Sequence, residues 1–93
     1  MISLFDIIVD GNDIKMGKPD PEIFLIASKK LVTEPKNCLV FEDAQSGIDA
    51  ANKAGMTVVG IGNKNKLKNL KYCFPGFLKI PDHLINYFFN EEK

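Results

Sequence analysis

Residues 38–55, CLVFEDAQSGIDAANKAG, followed at 57–61 by TVVGI, decide how the chain folds. Four apolar residues, 38–41, have the composition of a buried strand bounded by polar signals. They run directly into two adjacent carboxylates, Glu42 and Asp43. A small-residue helix follows over 46–54, and Gly55 stands where a left-handed cap is cheapest. The run at 57–61 is a further strand. A strand, a helix of about three turns and a second strand form the unit of a parallel sheet, with a right-handed connection.

The same alternation extends outward. FDIIVD at 5–10 is an apolar run ended by Gly11 and Asn12, the pattern of a buried strand and a turn. Asp20 is placed to cap a helix with Pro21 at its first position and Glu22 beside it; Ile23, Phe24, Ile26, Ala27 and Leu31 give that helix a broad apolar face, and Pro35 ends it. Downstream, NKNKLKNL at 63–70 predicts a loop with a short helix, KYCF at 71–74 a short strand, and Pro75-Gly76 a turn. A last amphipathic helix is expected after Pro81 and Asp82, with Leu84, Ile85, Phe88 and Phe89 at helical spacing. The class is α/β, a parallel sheet with flanking helices, and residues 1–93 form one unit with no internal repeat or linker.

Composition narrows the function. Twelve basic and twelve acidic side chains cancel, so no net field recruits nucleic acid or an anionic membrane. An apolar fraction of 45% is that of a soluble chain, and no apolar run approaches the length of a membrane span. The first residues lack the basic start, long apolar centre and cleavage site of a secretory signal, which points to the cytoplasm. Cys38 and Cys73 lie too far apart for a redox or zinc pair and are expected to be buried free thiols. The lone His83 is expected to be structural or solvent-facing.

Adjacent carboxylates oppose each other's ionisation when they leave water together, so a partner is required to hold them there. Ligands of open parallel sheets bind beyond the carboxyl ends of the strands, which is where Glu42 and Asp43 fall. The loop KMGKPDPE brings Lys18 toward the same rim. Two carboxylates for a hard cation and a lysine for an anion suit a phosphorylated ligand with magnesium. An acidic pair at a strand end is equally compatible with a solvated helix N-terminus, and a single lysine in such a loop with plain surface.

The wording GKPDPEIF, then CLVFEDAQSGIDAANKAGM, then VVGIG resembles the carboxyl-terminal part of the haloacid dehalogenase-like (HAD) hydrolases, and within them the β-phosphoglucomutase and phosphatase group. The resemblance implies a partial Rossmann-like core. It makes Lys18 the lysine that neutralises charge on the nucleophilic carboxylate and the transferring phosphoryl group, and Asp43, with Glu42 beside it, the holder of catalytic Mg2+. The implied activity is phosphoryl transfer on a small phosphorylated metabolite, as a sugar-phosphate mutase or a phosphatase. Positioned cations stabilise the charge that gathers on the phosphoryl oxygens.

The family's first step needs an aspartate nucleophile and a second aspartate two residues later, and none of the aspartates at 6, 10, 13, 20, 43, 49 and 82 has that spacing. Asp13 stands three positions from Asp10, and the run that ends at Asp10 lies shortly before Lys18, where the family places its third strand. The nucleophile strand, the cap and the second motif are therefore expected to be absent, and the 93 residues alone to be inactive. In the family's sheet the nucleophile strand flanks that of Glu42, so unpaired backbone is expected beside residues 38–41, inviting self-association through an exposed sheet edge. A piece of a longer protein, a rearranged strand order and an exchange between two copies remain open. So does a non-enzyme, a metal- or phosphate-binding or interaction module.

Overall fold

A computed structural model describes the backbone of residues 2–3 and the whole of residues 20–89. Among these residues lie a four-stranded sheet and three α-helices. In chain order they are β1 (Ile2–Ser3), α1 (Glu22–Lys30), β2 (Cys38–Glu42), α2 (Gln45–Lys53), β3 (Thr57–Ile61), β4 (Tyr72–Phe74) and α3 (Asp82–Phe89). Short 3-10 turns, Pro35–Asn37 and Phe77–Lys79, precede β2 and α3. The strands lie side by side in the order β1-β2-β3-β4, and every neighbouring pair is parallel.

Period-two alternation divides the apolar side chains between the two faces of this sheet. Cys38 and Val40 of β2 and Val58 of β3 join Phe24 of α1 and Ile48, Ala50, Ala51 and Ala54 of α2 in one core. Leu39 and Val59 point the other way, to Ile80 and Phe88, with Phe41, Ile61, Tyr72, Phe74 and Leu84 around them. Both faces are covered, as parallel strands require. The α/β class and the parallel sheet with flanking helices are as the sequence predicts.

The start of α1 follows the sequence. The Asp20 carboxylate Oδ1 accepts the Glu22 N–H at 2.9 Å, and Pro21 stands immediately before the helix. Its end does not: the helix stops at Lys30, well ahead of Pro35. Thr33 N–H donates to the Ser28 carbonyl and Val32 N–H to the Lys29 carbonyl, each at 3.0 Å, with Val32 in the left-handed region at φ 52°. These paired bonds close the helix without proline. Pro35 instead opens the next 3-10 turn and keeps Glu34 extended.

Helix α2 begins one residue earlier than expected, and Gly55, at φ 81°, closes it in the same paired pattern. Between β3 and β4 the expected short helix is only a turn, in which the Lys66 and Leu67 N–H groups donate to the Asn63 carbonyl. In α3, Phe88 is buried and Leu84 half-buried, whereas Ile85 and Phe89 are exposed.

The strand expected over 5–10 lies outside the described residues. The backbone beside β2 is not wholly unpaired: Ile2 pairs with Cys38 and Ser3 with Leu39.

Candidate functional site

The carboxyl ends of β2 and β3 open into a depression of about 350 Å³ lined by Phe41, Glu42, Asp43, Ile61 and Phe77. Its apolar wall comes from strand residues of the α3 face and from Phe77, whose ring lies 5.2 Å from that of Phe41 at 52°. Its polar wall is the acidic pair. β2 runs one residue further than the apolar pattern alone indicates, so Glu42 belongs to the strand. Glu42 therefore continues the alternation of Cys38 and Val40 and turns toward α2. Asp43, in the bend after the strand, is exposed.

The two carboxylates thus have different surroundings. Glu42 is half-buried, and its Oε1 accepts the N–H of Ala44, the residue preceding α2, at 3.2 Å. Ala44 offers α2 no side-chain cap of its own. The Glu42 carboxyl also occupies the space into which a Cβ on Gly47 would project. A negative group is favoured at this end of a helix by the aligned peptide dipoles. Asp43 is exposed, and both carboxylates line the depression.

Gln45, at the start of α2, fixes the neighbouring loop. Its Oε1 accepts the Lys68 N–H at 2.7 Å, while its Nε2 donates to the Lys68 carbonyl at 3.0 Å and to Asp49 Oδ1 at 2.9 Å. Two turns along, Asn52 Nδ2 donates to the Asn69 carbonyl at 2.9 Å. The two amide side chains thus satisfy backbone groups of this loop.

Of the residues singled out from the sequence, the structure places Glu42 and Asp43 together on the rim, and Lys18 lies outside the described residues. Gly47, Gln45 and Phe77 were not singled out. Only Gly47 carried a local signal, a glycine inside a helix where alanine is more stable by about 1 kcal/mol.

The thiols do not add to the site. Cys38 is fully buried, its Sγ donates to the Glu34 carbonyl at 3.5 Å, and burial pushes its pKa up, which keeps it protonated and inert. Cys73 is only half-buried, contrary to expectation, because β4 is an edge strand among the described residues; its Sγ lies 3.8 Å from the Gly62 carbonyl. His83 is exposed.

The donor set suits a hard cation in part. Among the described residues no three His, Cys, Asp or Glu side chains converge on one point. Magnesium is commonly held by one or two carboxylates with water and phosphate oxygens completing its shell, and the oxygens of this rim fit that demand.

Comparison with known proteins gives a concordant result. A family model described as haloacid dehalogenase-like hydrolase matches residues 1–61. The chain is 48% identical over 52 residues to the phosphorylated carbohydrates phosphatase of Thermotoga maritima, covering 56% of this chain and 24% of that protein. To the β-phosphoglucomutase of Bacillus subtilis it is 47% identical over 62 residues, 67% of this chain and 27% of that one. Among solved structures, β-phosphoglucomutase from Clostridium difficile superposes with a TM-score of 0.77 at 40% identity, over 88% of this chain and 37% of that one. The chain thus spans about a quarter of the length of these two curated relatives. With its parallel sheet, its acidic rim and a family match over residues 1–61, the chain belongs to the haloacid dehalogenase-like hydrolases.

Proposed function

We propose that this chain supplies the cation-binding part of a magnesium-dependent phosphoryl-transfer enzyme acting on a small phosphorylated metabolite, as a phosphatase or a β-phosphoglucomutase-like mutase. The observation that carries the proposal is Asp43, exposed at the carboxyl end of β2 on the open depression. The names of the relatives, phosphatases and a phosphoglucomutase, support the reaction class. In this reading Asp43 takes the cation, Lys18 neutralises charge near phosphorus, and the attacking aspartate, which forms an aspartyl phosphate, is supplied from outside these 93 residues. Bound magnesium supplies charge stabilisation at the phosphoryl oxygens. The chain's own residues hold the rim: Phe41 and Phe77 give it an apolar wall, and Gln45 pins the adjacent loop. The proposed compartment is the cytoplasm; no described helix is long and apolar enough to cross a membrane.

Titration of the purified chain with Mn2+, a paramagnetic stand-in for Mg2+, tests this reading. Wild type is expected to bind and Asp43→Asn to lose affinity about tenfold or more, as removal of a carboxylate ligand implies. The chain alone is expected to release no phosphate from sugar phosphates. Mn2+ binding that Asp43→Asn leaves unchanged overturns the assignment, and phosphate release by the chain alone overturns the external nucleophile.

A second reading, self-association, draws on β4, which stands at the edge of the sheet among the described residues. Sedimentation equilibrium over a range of concentrations reads it directly. A constant monomer mass sinks it.

A further inference from the structure

We infer that the amino ends of β3 and β4 carry a binding site for a nucleoside monophosphate, at the opposite end of the sheet from the acidic rim. A cavity of about 310 Å³ opens there, between the carboxyl-terminal part of α2, the segment that leads into β4 and the end of α3. None of its lining residues belongs to the rim.

Three kinds of group converge on this cavity. Tyr72 and Phe88, packed edge to face with ring centroids 5.0 Å apart, give it an aromatic wall on which a flat base can stack. Asn52, Thr57 and Asn69 bring two carboxamides and a hydroxyl. Asn52 donates one N–H to the Asn69 carbonyl at 2.9 Å; its Oδ1, the Asn69 carboxamide and the Thr57 hydroxyl have no hydrogen-bond partner among the described residues. A carboxamide sets a donor beside an acceptor, which is the pattern on the edge of a base. Lys71 supplies the charge. Its Nζ stands 5.4 Å from the centroid of the Tyr72 ring and makes no ion pair among the described residues, and no carboxylate lines the cavity.

The neutral total of the chain conceals this charge. Between Asp49 and Asp82 the sequence has six lysines and neither aspartate nor glutamate, and apart from its two α3 residues the whole lining of the cavity comes from that stretch. A cleft walled by one sign of charge concentrates the other. The carboxyl end of α2, which by itself favours cations, has Lys53 in its last turn, and its final carbonyls are taken up by the N–H groups of Ala54, Gly55 and Met56. Lysine meets phosphate as a point charge, and Lys71 is the one lysine on the lining, which matches a single phosphate. The wall is also shaped in advance: Asn69 sits in the left-handed region at φ 62°, which asparagine tolerates, with Asn52 holding its carbonyl and Gln45 holding Lys68 just ahead of it.

Nuclear magnetic resonance titration of the isotope-labelled full chain with AMP, in buffer containing EDTA, tests the site. Amide shifts are expected at Thr57, Val58 and residues 69–72, and none at Asp43. Adenosine, which lacks the charge, and inorganic phosphate, which lacks the stacking ring, are each expected to bind about tenfold or more weaker than AMP. Lys71→Met, at an exposed side chain, is expected to weaken AMP about tenfold, and Asn69→Gly, which keeps the left-handed turn and deletes only the carboxamide, about threefold. Asp43→Asn is expected to bind AMP as wild type does, which separates this site from the rim. Absence of AMP binding overturns the inference, as do shifts centred on the rim or binding that Lys71→Met and Asn69→Gly leave unchanged. Adenosine or phosphate binding as tightly as AMP overturns the nucleotide assignment.

Discussion

Val32 and Gly55 meet the same backbone demand with opposite chemistry. Each is the left-handed residue that closes a helix, α1 at φ 52° and α2 at φ 81°. Glycine takes that conformation freely; a β-branched side chain crowds the neighbouring carbonyl, a strain of roughly 1–2 kcal/mol. Val32 is 91% exposed, so its side chain recovers almost none of this through burial. Val32→Gly is therefore expected to stabilise the chain by about 1 kcal/mol, after allowing for the extra freedom of glycine in the unfolded state. Urea unfolding with an unchanged denaturant slope checks it. Gly55 was legible as a cap because glycine after a helical run is a strong signal, whereas valine in that role carries none. Pro35 therefore looked like the stop, although the paired bonds to Ser28 and Lys29 end α1 sooner.

Among the elements, the β2–α2 and α2–β3 boundaries were legible because each is written locally: an apolar run, a carboxylate pair, a small-residue helix, a glycine. The loop from β3 to β4 was not, since what holds it comes from elsewhere in the chain. Gln45 offers its amide to both backbone groups of Lys68, and no local pattern foretells a partner 23 residues away. Gln45→Ala is expected to destabilise by about 1 kcal/mol, the net worth of such hydrogen bonds. Its sharper signature is local. Hydrogen exchange at the Lys68 amide should accelerate strongly, with amides in the middle of β3 following only the small global change. Equal acceleration in both places would mean the clamp does not act on the loop. In α3, helical spacing identified the element but not its orientation: Phe88 is buried, while Ile85 and Phe89 face solvent. Lys18, the part of the candidate site that precedes α1 in sequence, lies outside the described residues. The acidic pair was legible, but its unequal surroundings depend on Gly47, which only the folded geometry brings beneath Glu42.

For the molecule as a whole, the two faces of the sheet are unequally provided. One is covered by α1 and α2 together; the other relies on α3 and the segment before it, with Phe88 and Ile80 against Leu39 and Val59. Phe88 is 2% exposed and meets the ring of Tyr72 edge-on, with centroids 5.0 Å apart. Phe88→Ala is expected to remove about 3–5 kcal/mol, a large share of the roughly 5–15 kcal/mol that holds a domain of ordinary size together. A drop in melting temperature and loss of the near-ultraviolet tyrosine signal would register it; a near-native melting point would show that α3 is dispensable. The strand–helix–strand run from β2 through α2 to β3 has a temporal consequence. It is continuous in sequence and provides most of the first core, so its contacts close short loops and can form before β1 or α3 arrives. Gly55 sits inside that early kernel and Val32 just outside it. Gly55→Ala should accordingly slow the refolding limb of a chevron, whereas Val32→Gly should chiefly slow the unfolding limb, so the two helix ends, alike in geometry, are separated by the clock.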